Sequence, residues 1–162
     1  QGSFSLYLAR VFGMSAQTVG YIFTGIGILI LINQAIFLKR VWLRFGSMHG
    51  LAQLMLVVFG IGMIMQSVPM LSILIGGIVL ATIGQGTLRT AYGSMISGAN
   101  AEKRGEYIGI STSLMSLAMV VGPLIATFLI AKHPAAPFAI AGLLAFVAYV
   151  INLKHLPTIS HA

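Results

Sequence analysis

The chain has 162 residues, 58% of them hydrophobic and 7% charged, with nine Lys and Arg against two acids and a net charge of +7. A water-soluble domain carries roughly a quarter charged residues to cover its surface, so an ordinary soluble domain is excluded and lipid is the expected solvent. The basic residues punctuate apolar runs instead of clustering, which argues against a nucleic-acid partner, and the lack of cysteine excludes disulfides and thiolate chemistry.

The chain opens at Gln1 with neither a methionine nor a cleavable signal pattern, and reads as a piece of something longer. Residues 4–12 are apolar but too short to span, so they form either an interfacial turn or the tail of a helix. Five apolar runs follow at 19–38, 51–68, 71–90, 108–131 and 137–153. Runs of about 20 residues, rising about 1.5 Å each, cross roughly 30 Å of hydrocarbon.

The second and third runs are separated by Ser67-Val-Pro-Met70, and the fourth and fifth by Ala131-Lys-His-Pro-Ala-Ala-Pro137, where proline ends the helix. The other two connections are longer and charged. Five crossings place Lys39, Arg40, Arg44, Arg89, Lys103, Arg104 and Lys154 on one side, and Arg10 and Lys132 on the other. By the positive-inside rule the richer side is cytoplasmic. The tail, 156–162, then lies inside too, in a cell membrane, with a bacterial inner membrane the expected location.

A polar side chain in a span faces another helix or a water-filled cavity. In the third run Thr82, Gln85, Arg89 and Tyr92, spaced three, four and three, share one helical face, which marks this helix as a cavity wall. Arg89 falls about 18 residues, or about 27 Å, from Leu71. It either sits at the inner mouth of a substrate path or serves topology by snorkelling or by pairing with Glu102 or Glu106. The second and fifth runs are nearly featureless and read as lipid-facing.

The first run carries Gly20, Gly25 and Gly27, then Asn33 and Gln34, which either hydrogen-bond to a neighbouring helix or contribute to a substrate path. The fourth opens with Gly105-x-x-x-Gly109 and a run of Ser and Thr, small residues that allow close helix packing. The only acids, Glu102 and Glu106, sit in Gly98–Gly109 beside Lys103 and Arg104. That stretch reads as a cytoplasmic loop, with Glu106 in the first turn of the next helix, offsetting the positive end of its dipole. The four histidines have no second ligand at metal spacing, and no cofactor is expected. Gly84-Gln-Gly86 lies within a span, not between a strand and a helix, so it reads as a thin point in the helix and not as a dinucleotide fingerprint.

Phe12-Gly-Met-Ser-Ala-Gln-Thr-Val-Gly20, Ala101-Glu-Lys-Arg-Gly-Glu-Tyr-Ile-Gly109 and Gly122-Pro123-Leu124, in this order and sidedness, resemble the C-terminal half of a major facilitator superfamily transporter. The likeness is to drug:proton antiporters of the tetracycline-efflux type. It implies an all-α integral membrane fold whose five spans, within 13–155, are the eighth to twelfth helices, with residues 1–12 the remnant of the seventh and its external loop. It also implies packing roles for Gly105, Gly109, Gly122 and Pro123. Lys39, Arg40, Arg44 and Gly46 occupy the place of the family's cytoplasmic loop motif, without its acid. Lys39, Arg40, Arg44, Glu102, Arg104 and Glu106 become loop and gating residues, and Gln85, Arg89, Tyr92, Asn33 and Gln34 pathway residues.

The partners implied are the lipid bilayer, the N-terminal half of the same transporter, a small-molecule substrate and protons. The expected function is alternating-access export, not enzymatic catalysis, since no nucleophile, acid pair or metal set is evident. A small multi-pass membrane protein acting as a structural or assembly subunit is the alternative.

Overall fold

The computed structural model describes residues 2–37, 48–98 and 101–154, and these are helical apart from short turns. The helices are α1 (Gly2–Phe12), α2 (Ala16–Ile32), α3 (Met48–Gln66), α4 (Leu71–Ser97), α5 (Ala101–Lys132) and α6 (Ala136–Lys154), with α2 continued by a π-helical turn, Asn33–Phe37. All but α1 are long and apolar enough to cross a membrane, which gives five candidate spans among the described residues.

Local chemistry explains the ends. α1 stops at Gly13, whose φ of +62° is left-handed; its N–H donates to the Ala9 carbonyl at 3.1 Å, closing the helix as such a glycine cap does. Ser15 then opens α2, its Oγ accepting from the Thr18 N–H at 3.3 Å. Pro137 lies in the first turn of α6, where a missing N–H costs no internal bond.

Two boundaries differ from those read in the sequence. α4 runs on to Ser97 instead of ending near Thr90, because nothing between Thr90 and Ser97 forbids helix. Arg89 therefore lies about two turns inside the end of its helix. α5 begins at Ala101, so most of the expected charged loop is helical; Ala, Glu, Lys and Arg are all strong helix formers. Glu106 is past the first turn, beyond the reach of the dipole effect assigned to it, and the backbone of Glu102 holds that position. At 32 residues, or about 48 Å, α5 is longer than the roughly 30 Å of hydrocarbon it would cross.

The closest packing lies between α3 and α4. A methyl group added at Gly62 would sit 2.5 Å from the Ala81 backbone nitrogen, and one at Gly77 would sit 2.8 Å from the Gly62 carbonyl oxygen. At Gly84 the obstacle is the Phe59 backbone nitrogen, at 2.8 Å, and Gly142 of α6 meets Ile64 and the Gly60 carbonyl. A Cβ at Gly105, Gly109 or Gly122 meets nothing within 4 Å. Among the described residues no partner meets these three glycines, and the closest helix contacts are those of α3, α4 and α6. A small residue allows close approach only where a partner lies on its face, and composition does not reveal which face that is.

One core collects Tyr7, Leu8, Val19, Leu74, Ile78, Ile130 and Phe138, near the connections at 67–70 and 133–135, which we term the hairpin end. Phe138 ties it together, with ring centroids 4.6 Å from Tyr7 and 6.0 Å from Phe4. A second core, toward the opposite end, holds Leu51, Ala52, Met55, Leu56, Leu88 and Ala91, from α3 and α4. α5 contributes Ile130 to the first core and no residue to the second. It is held at the hairpin end, where Arg10 Nη1 donates to the Ile130 carbonyl at 3.4 Å.

Replacing Gly62 with Ala is expected to force α3 and α4 apart and cost about 1–3 kcal/mol. Thermal unfolding in detergent measures it. Gly20→Ala, which meets no atom within 4 Å, serves as the control and should leave the midpoint nearly unchanged.

Candidate functional site

A groove of about 470 Å³ opens between α4 and α5, within the usual range for small-molecule sites. Gln85, Arg89 and Tyr92 line it from α4, Ser111, Thr112 and Met115 from α5, and Phe59 from α3. The three α4 residues recur at helical spacing, so the rigid core on the back of α4, with Leu88 and Ala91 buried against α3, aims them at one side. A second groove of about 400 Å³ also has Gln85 and Phe59 in its wall, with Thr82, Gln66 and Phe138 toward the hairpin end. The two adjoin at Gln85, and the polar stripe of α4 follows them.

Arg89 is exposed to the groove. Its Nη2 lies 4.0 Å from the Met115 sulfur, a weak acceptor. Glu106 and Arg104 are exposed on α5, and among the described side chains no ion pair joins Glu106 to Arg89. The side chain of Glu102 and all of Lys39, Arg40 and Arg44 lie outside the described residues.

Asn33 is separate from the groove. It is 3% exposed, its Nδ2 donates to the Ile83 carbonyl at 3.4 Å, and a Cβ at Gly86 would fall 2.7 Å from that nitrogen. Of the two roles left open for it, the contacts match the bond to a neighbouring helix. Gly84 faces α3 and Gly86 faces α2, so the Gly84-Gln-Gly86 stretch is thin on two sides while Gln85 points into the groove. Gln34 is exposed and does not line the groove.

Sequence reasoning missed four contributors. Ser111 and Thr112 were read as packing residues, yet they line the groove, with Ser111 Oγ donating to the Ile108 carbonyl at 3.1 Å. Phe59 sits in a run that looked featureless, and no local signal distinguishes it from its apolar neighbours. Gln66, 6% exposed, donates from Nε2 to the Gly62 carbonyl at 3.2 Å and the Gly77 carbonyl at 3.3 Å, and its main-chain carbonyl accepts from Tyr7 Oη at 2.9 Å. This knot fastens α1 to the α3–α4 hairpin.

Comparison with known families gives one match: a model described as Major Facilitator Superfamily matches residues 2–161, nearly the whole chain. No curated protein matches the chain at a significant level.

The contacts separate packing from pathway. Asn33→Ala should lower stability by about 0.5–1.5 kcal/mol through the lost hydrogen bond and contact, whereas Gln85→Ala, at an exposed position, should change it by less than about 0.5 kcal/mol. Thermal midpoints of the two purified variants test this, and equal losses would contradict the assignment.

Proposed function

The chain belongs to the major facilitator superfamily, and from that premise we propose that it forms the C-terminal half of a secondary active transporter exporting small, amphipathic molecules by alternating access. Membership makes it a multi-pass membrane transporter. The observation that carries the finer reading is the groove itself: Gln85, Arg89 and Tyr92 of α4 face Ser111 and Thr112 of α5 across a space of small-molecule size. Intramembrane polar residues mark substrate paths.

In this reading α2 to α6 are the eighth to twelfth helices of the transporter and α1 is the remnant of the seventh. Two further observations support it. α2 and α5 bury least of their surface within the chain, and the glycines at 20, 25, 27, 105, 109 and 122 are open. These faces suit an N-terminal half that completes the pathway, with Gly122-Pro123 leaving α5 a thin, compliant segment. Drug:proton antiport fits the resemblance in sequence, and the proton-carrying carboxylate then belongs to the other half, since both acids of this chain lie at 102 and 106. The charged first turns of α5, with Lys39, Arg40 and Arg44, form the cytoplasmic side and its gating contacts, and the C-terminus is cytoplasmic. An assembly subunit could use the same open glycine faces, but a groove of small-molecule size containing a cation favours transport.

The chain has no cysteine, so single replacements report cleanly on access. Gln85→Cys and Thr112→Cys should react with a membrane-impermeant maleimide from the cytoplasmic side, with Leu74→Cys, fully buried, at least tenfold slower (about 1.4 kcal/mol of protection). Gln85→Ala and Arg89→Ala should reduce export in the full-length transporter while membrane insertion stays normal. Unchanged export in both would remove them from the pathway.

A further inference from the structure

Arg89 raises a question that groove size does not answer: which charge it meets. Its five guanidinium donors have one contact among the described side chains, the Met115 sulfur at 4.0 Å. Among the described residues the groups facing it are neutral: Gln85 and Tyr92 on its own helix, Thr112 and Met115 across the groove, and Phe59 from α3. Of the two acids in the chain, Glu106 is exposed on α5 and does not line the groove. A cation within a membrane span is costly unless something compensates it.

The walls around this cation are mainly apolar, with Phe59, Ile96 and Met115 prominent. The groove thus presents one fixed positive charge, flanked by hydrogen-bonding groups, beside an oily surface. The planar guanidinium fork matches a carboxylate with two parallel hydrogen bonds, and its single charge balances a single anion. We infer that this groove selects amphipathic monocarboxylates, Arg89 holding the carboxylate while Phe59, Ile96 and Met115 receive the apolar body. The inference rests on the groove being part of the transport path, and it adds the charge class of the molecule carried. A neutral or cationic amphiphile would leave the guanidinium unpaired beside it.

Three probes with one body and different head groups test this: 2-naphthoate, 2-naphthamide and 2-naphthylmethylammonium. Binding to the purified full-length protein in a neutral detergent is followed by naphthalene fluorescence. The carboxylate should bind at least about tenfold more tightly than either other probe, the scale of one charge-assisted pair. In Arg89→Gln that preference should shrink to within about twofold, and Arg89→Lys, which keeps the charge, should restore part of it. Equal binding of all three probes, or a preference that survives Arg89→Gln, would overturn the inference. So would Arg89-dependent stabilisation by phosphatidylglycerol with none by naphthoate, which would make Arg89 a lipid-headgroup contact. Flux in proteoliposomes is measured separately. Naphthoate that binds through Arg89 but is not moved would count against the transport reading and leave the anion preference standing.

Discussion

The bundle depends on how closely α3 and α4 approach. At Gly62, Gly77 and Gly84 the two helices come together with no room for a side-chain carbon. In lipid, apolar side chains gain little by turning from acyl chains to a neighbouring helix, so association relies on this kind of close van der Waals packing. α6 joins the pair through Gly60 and Gly142 in the same way. These three helices form the rigid block against which the rest is arranged.

At the hairpin end the block is sealed by polar as well as apolar contacts. Gln66 bonds backbone carbonyls of α3 and α4 and accepts from Tyr7, and the rings of Tyr7, Phe4 and Phe138 close over it. A buried amide in a membrane is stable only when its donors find partners, so the knot fixes α1 in place. Arg10, in the last turn of α1, then holds the far end of α5 by the Ile130 carbonyl. Over its middle α5 stands away from α4, and the groove occupies the space between them.

The groove inherits its character from that geometry. One side of α4 is rigid against α3, and the other carries Gln85, Arg89 and Tyr92 into open space. Asn33, packed on Gly86, shows the contrasting use of a polar residue in a span: turned to a helix backbone, it braces α2 against α4. Two polar residues of similar chemistry thus serve different ends because one meets a carbonyl and the other a cavity.

Composition and hydrophobic run length alone determined that this is a helical membrane protein with five spans, since 58% hydrophobic and 7% charged residues admit no other solvent. Periodicity alone also put Gln85, Arg89 and Tyr92 on one face, because 3.6 residues per turn is a local property. The tertiary structure decided which glycines pack. Among the described residues the close contacts fall at Gly62, Gly77, Gly84 and Gly142, since close approach needs a partner that no single helix specifies. The tertiary structure likewise turned Asn33 inward and drew Phe59, Ser111 and Thr112 into the groove. Each of these depends on contacts between residues far apart in the chain, which a residue's immediate neighbours do not encode, whereas the helical start of α5 follows local propensity.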